Sequence, residues 1–149
     1  MGIKIIAKNK RAKYDYQLLE KFEAGMQLRG TEVKSLRLGK VNLAESHISL
    51  DQKGQAWIHN MSIPAYEFGN INNHPERRKR KLLLNKKELD HLLHSMKAKG
   101  LTIVPTIVYF KQSLVKLEIY LAKGKKLYDK RQDEAKKDFK KKINQGHFN

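Results

Sequence analysis

The sequence predicts a mainly β protein: an antiparallel barrel with helices packed on it and a basic C-terminal tail. Three observations carry this. Apolar and polar residues alternate through residues 16–22 and 114–122, the period of a half-buried strand. The elements show no regular βαβ alternation, which argues against a parallel sheet. The 149-residue chain also changes character near Gly124: upstream segments carry apolar periods, whereas Ala135, Phe139, Ile143 and Phe148 are the notable apolar groups of residues 132–149.

Taken in order, residues 16–22 place Tyr16, Leu18 and Phe22 on one strand face. Gly25 allows a bend or bulge, and Met26 and Leu28 continue the strand. Residues 31–38 read as a short helix, with Thr31 as cap, Glu32 at its positive end and Gly39 as its stop. Residues 43–50 and 55–61 form a hairpin around Asp51-Gln52-Lys53-Gly54. Residues 65–76 hold Gly, Asn and Pro without an apolar period, so they read as a loop.

The basic run 77–81 follows, and then Leu82, Leu83 and Leu84. Asn85 with Glu88 three residues later is an asparagine form of the capping box. Leu89, Leu92, Leu93 and Met96 mark the buried stripe of the next helix, and Gly100 ends it. Residues 101–110 are rich in β-formers, with Pro105 signalling an edge position or a bulge. Lys111-Gln112-Ser113 turns the chain into the last strand, which points Val115, Leu117, Ile119 and Leu121 inward and Lys116, Glu118 and Tyr120 outward. This pattern suits a barrel of the oligonucleotide-binding type. Residues 1–123 form the folded domain and residues 124–149 the tail.

A net charge of +17 implies a polyanionic partner, nucleic acid ahead of an anionic membrane. There is no cysteine, hence no disulfide framework and no thiolate zinc site. No run has transmembrane length, and the apolar run 3–7 is too short for a signal-peptide core; a cytoplasmic protein without a membrane partner is expected. The runs 77–81 and 123–126 can neutralise phosphates, or can simply be solvated loops. Tyr14, Tyr120 and Tyr128 lie near lysines, where rings can stack on unpaired bases. Glu23 and Glu32 can accept from base amino groups or ribose hydroxyls; for Glu32 a helix-end charge or surface ion pair fits better. His91 and His94 have a possible metal spacing but no evident third ligand. Gly-rich phosphate loops, nucleophile elbows and zinc signatures are missing, so no cofactor and no enzyme activity are expected. The rival enzymatic reading is an RNase pairing Glu23 or Glu32 with His47 or His59. In the tail, Arg131, Ala135, Phe139 and Ile143 share one helical face too narrow to pack stably, which suits disorder in the free protein and a helix on a polyanion.

Together, Asn9-Lys10-Arg11-Ala12, Phe22-Glu23-Ala24-Gly25, Gly30-Thr31-Glu32-Val33-Lys34-Ser35-Leu36-Arg37, Arg80-Lys81-Leu82-Leu83-Leu84-Asn85 and Ala122-Lys123-Gly124-Lys125-Lys126 followed by Asp129-Lys130-Arg131 resemble the SsrA-binding protein (small protein B) family. The resemblance implies a non-catalytic adaptor that binds the tRNA-like domain of transfer-messenger RNA and brings it to stalled ribosomes, delivered with elongation factor Tu, for trans-translation. It implies RNA contacts at Glu23, Leu83, Asn85 and Lys116, with Lys123, Lys125 and Lys126 close to the RNA or the ribosome. Asn9, Lys10, Arg11 and Tyr14 join the RNA-binding set; Tyr14 stands where many members carry histidine. It further implies that the tail, led by Asp129, Lys130 and Arg131 and continued by Phe139 and Ile143, enters the empty messenger channel as a helix. A ribosomal or general RNA-packaging protein is the alternative of another class.

Overall fold

The computed structural model describes residues 2–69 and 73–125. Its strands are β1 (Ile3–Lys8), β2 (Tyr16–Met26), β3 (His47–Leu50), β4 (Ala56–His59), β5 (Arg80–Leu83), β6 (Thr102–Lys111) and β7 (Leu114–Gly124), and its helices are α1 (Ala12–Asp15), α2 (Gly30–Arg37) and α3 (Lys86–Lys99). The strands form one antiparallel sheet in the order β1-β6-β7-β2-β5-β4-β3. The sheet curls until β3 lies against β6, which gives the barrel. Alternation explains the core. Ile48, Ile58, Leu82, Ile103, Val108, Leu117, Ile119 and Leu121 point inward, and Leu36 of α2 with Leu89 and Leu92 of α3 joins the same cluster.

β7 has the expected face, with Val115, Leu117, Ile119 and Leu121 buried. Two bulges bend the long strands. One falls between Leu18 and Glu20 of β2, not at Gly25; the other falls between Pro105 and Ile107 of β6, where a missing N–H is tolerated. β6 is an interior strand, so Pro105 marks the bulge and not an edge. The hairpin is shorter than its apolar run, and an isolated bridge, Asn42 to Ser62, continues its pairing.

Three elements differ from the sequence reading. The apolar run at the N-terminus is strand β1, paired along β6. The basic run 77–81 enters β5. Helix α2 is capped two residues before Thr31, at Arg29: the Glu32 carboxylate reaches back to the Arg29 N–H at 2.7 Å. The Thr31 hydroxyl instead hydrogen-bonds His74, whose Nε2 donates to the Ile63 carbonyl.

Helix α3 begins and ends as its sequence dictates. The Asn85 side chain accepts from the Glu88 N–H at 2.8 Å, and the Glu88 carboxylate accepts from the Asn85 N–H at 3.2 Å. Gly100 closes it in the left-handed conformation, φ 64°. Asn85→Ala should therefore lower stability by about 1 kcal/mol, read as a shifted urea midpoint with an unchanged slope.

Candidate nucleic-acid interface

The register across the barrel's outer face brings residues from five strands into one row. Leu83 of β5 pairs with Gly25 of β2, Gly25 with Lys116 of β7, Lys116 with Tyr109 of β6, and Tyr109 with Ile5 of β1. Gly25 is needed for close approach: a Cβ there would sit 3.3 Å from the Leu83 Cβ. Leu83 is 47% exposed and Ile5 48%, so the row presents apolar side chains to solvent on both flanks of Lys116. Large exposed aliphatic groups beside a cation suit packing against a base or sugar together with phosphate contact.

Glu23 lies two residues before Gly25 on the same face of β2. The Tyr109 hydroxyl donates to it, and the Lys111 ammonium lies 3.4 Å away. The Tyr109 hydrogen bond, chiefly, with help from Lys111 and Lys116, holds the Glu23 carboxyl below its ordinary 4.5, while burial and the same carboxylate push the Tyr109 hydroxyl up. Glu23 is therefore an ionised acceptor in a basic setting, able to take base amino or ribose hydroxyl donors. Tyr109 went unnoticed in the sequence; its place opposite Lys116 follows from register alone. Asn85 follows β5 and is exposed, but its side-chain oxygen is engaged in capping α3.

A second group of expected residues gathers at the far end of the β2–β7 pair. Tyr16 pairs with Gly124 and Gln17 with Lys123, so α1 and the leader stand beside the end of β7. The Lys125 N–H donates to the Asp15 carbonyl at 3.0 Å, and its ammonium donates to the Lys13 carbonyl at 2.8 Å. The Arg11 guanidinium lies 5.1 Å from the centre of the Tyr14 ring and reaches Asp15. Lys10, Arg11, Lys13 and Lys123 are exposed. Asn9 is part of the framework: its amide donates to the Pro105 carbonyl at 3.0 Å and its backbone N–H donates to Thr106, tying the leader to the β6 bulge. From this end to the row through Gly25 is about 26 Å at about 3.3 Å per residue. The structure thus sorts the expected contacts into two patches. Lys126, Tyr128, Asp129, Lys130, Arg131, Phe139 and Ile143 lie outside the described residues.

The basic run 77–81 requires a correction. It is not a uniform phosphate-binding stretch, because strand alternation divides it. Arg80 is fully buried: its Nε donates to Glu32, and its terminal nitrogens donate to the carbonyls of Met61, Arg78, Pro75 and Glu76. Arg78 also donates to Glu32, at 2.6 Å. Glu32, expected at a helix end or in a surface pair, is fully buried between these arginines. Lys79 and Lys81 remain on the outside. The in–out order Arg80, Lys81, Leu82, Leu83 comes from strand pairing, because two cations followed by three leucines show no two-residue period in the sequence.

The acid–base pairs of the rival RNase reading are not assembled. Glu32 is engaged by arginines and Glu23 by Tyr109 and Lys111; His59 is engaged by Ser49 and His47. His91 bonds Glu20 at 2.8 Å and lies against the Phe22 ring. Among the described residues no cluster of three potential metal ligands occurs, and no helix is long and apolar enough to cross a membrane.

Known proteins share this chain's sequence and fold. The chain is 54% identical over 143 residues to the SsrA-binding protein of Geotalea uraniireducens, covering 96% of this chain and 94% of that protein. It is also 54% identical over 145 residues to the SsrA-binding protein of Pelobacter propionicus, covering 97% and 95%. A chain of a solved structure described as "tmRNA-SmpB: a journey to the center of the bacterial ribosome" superposes with a TM-score of 0.66 at 47% identity, covering 81% of this chain and 85% of that one. The family model described as SmpB protein matches residues 6–148, and the chain belongs to that family.

Proposed function

We propose that this chain is a non-catalytic RNA-binding adaptor for ribosome rescue. It grips the tRNA-like domain of transfer-messenger RNA and carries it, with elongation factor Tu, to a ribosome stalled without messenger. The observation that supports this most is the outer row Leu83, Gly25, Lys116 and Tyr109 with ionised Glu23 beside it. It offers an apolar contact, a phosphate-neutralising cation and an acceptor-only group within one surface. Asn85 stands next to it and serves RNA through its amide nitrogen while its oxygen caps α3. The second patch, with Lys10, Arg11, Tyr14, Lys123 and Lys125, lies where the chain departs for the tail. This patch faces the ribosome or the RNA near it, and the tail beyond enters the empty messenger channel.

The test is competition between the isolated tRNA-like domain and bulk tRNA across a salt series. Preference for the tRNA-like domain should persist at about 200 mM salt, where bare phosphate contacts have weakened greatly. Leu83→Asp should cost roughly tenfold in affinity for that domain, about 1.4 kcal/mol, without changing the urea midpoint. Equal competition that vanishes with salt would mean a general basic RNA binder instead.

A further inference from the structure

The outward face of β3, β4 and β5 carries groups that the proposed function does not use. Ile48, Ala56, Ile58, Arg80 and Leu82 point inward and are buried. Their neighbours therefore face solvent in two cross-strand rows. In one, Ser49 pairs with Trp57 and Trp57 with Lys81; in the other, His47 pairs with His59, and Lys79 comes two residues before Lys81.

The rows are held in fixed geometry. The imidazoles of His47 and His59 stack with ring centres 4.8 Å apart and planes 10° from parallel. The Ser49 hydroxyl lies 2.7 Å from His59 Nε2. The Lys79 ammonium sits 4.6 Å from the centre of the Trp57 ring, whose N–H donates to Asp51 at 2.9 Å. Asp51 belongs to the hairpin turn and is also occupied by the N–H groups of Lys53 and Gln55. The two rows themselves contain no carboxylate. Around the histidine pair stand Ser49 and Lys79, and the cleft that His47 lines also holds Arg11, Asp15 and Glu45.

The geometry points to a second RNA site on this face, one that takes the phosphodiester backbone of an RNA segment other than the one held at Gly25 and gains a proton on His59 as it binds. Lys79 and Lys81 lie about 6.6 Å apart along the strand, comparable with the spacing of successive phosphates in a nucleic-acid strand. Trp57 buttresses Lys79 by a cation–π contact. In the free chain, burial, His47 and Lys79 hold the His59 imidazole below its ordinary 6.5. A phosphate seated over the pair opposes that, because its charge favours the imidazolium. Binding therefore strengthens as pH falls through and below 6.5. RNA fits better than a lipid surface because Ile48 and Ile58 are turned into the core and Trp57, the large ring left on the outer face of β3 and β4, is held by Lys79 and Asp51.

The experiment uses the full chain loaded with one equivalent of the tRNA-like domain and titrated with a fluorescein-labelled A-form RNA hairpin. Anisotropy is read at about pH 6 and about pH 8, either side of the histidine range. The loaded chain should bind the hairpin several-fold more tightly at the lower pH. Lys79→Ala with Lys81→Ala should weaken the hairpin by roughly tenfold more than the tRNA-like domain. His47→Phe with His59→Phe keeps an aromatic pair and should abolish the pH dependence. Hairpin binding that ignores the lysine pair, loss of both RNAs in equal measure, or a pH dependence that survives the phenylalanine pair would overturn the proposal. So would equal competition by polyglutamate, which would make the face a site for acidic peptides. The second site rests on the first only for loading: if the tRNA-like domain fails to load, the adaptor reading fails, and the same hairpin titration on the free chain still decides the β3–β4–β5 face.

Discussion

Glu32→Ala costs about 3–5 kcal/mol of folding stability, against a total of roughly 5–15 kcal/mol for a domain. The reason is the charge left behind. Arg80 is fully buried and donates to Glu32 from Nε, while its other donors serve four backbone carbonyls. Removing the carboxylate leaves a guanidinium in the core with no counter-charge. Arg78, about a quarter exposed, can turn to water; Arg80 cannot. Glu32→Leu combined with Arg80→Met removes both charges and should recover part of the loss, because the penalty lies in the unpaired ion.

The same group sets an acid limit. Burial pushes the Glu32 carboxyl up, but hydrogen bonds from Arg78, the Arg29 backbone and Arg80 outweigh it and hold the carboxyl below its ordinary 4.5. Its contribution is therefore complete above pH 4.5 and is lost as pH falls through the lowered value. Urea midpoints measured at neutral and acid pH should converge between the native chain and Glu32→Gln as the medium becomes acid. Unchanged midpoints in Glu32→Ala at neutral pH would refute the account.

Removing the residues after Arg131 should abolish tagging on stalled ribosomes and leave affinity for the tRNA-like domain within about twofold, under 0.5 kcal/mol. Distance separates the two ends of the barrel. The last described residue, Lys125, is tied to Asp15 and Lys13 at the leader end of the barrel. The row through Gly25 lies about 26 Å away along β2 and β7. A truncation beyond the first end cannot remove a group that builds the second. Tagging in a reconstituted stalled-translation assay, beside RNA affinity of the same variant, separates the two functions. Tagging that survives would disprove the tail mechanism; RNA affinity lost with the tail would disprove the division of labour.

Much of this was legible in the chain itself. The two-residue period of β7 and the caps of α3 are local features, and local chemistry decides them. The motifs that resemble the SsrA-binding protein family were legible for the same reason, being contiguous residues. Pro105 was half legible: the sequence left an edge or a bulge, and pairing on both sides of β6 decided for the bulge.

The misreadings concern groups whose partners are far away in sequence. Arg80 and Glu32 are 48 residues apart, so charge density in 77–81 looked like surface until the fold placed a carboxylate inside the barrel to meet it. Strand β1 has no strong pattern of its own and exists because β6 supplies its hydrogen bonds. Tyr109, 86 residues from Glu23, comes beside it only through pairing with Lys116. By itself, then, the sequence determined the barrel class, the ends of α3, the strongly basic charge and the family, because these rest on neighbouring residues and on total charge. Only the tertiary structure decided which cations stay on the outer surface and which are locked in the core, because register and burial come from pairing between distant strands.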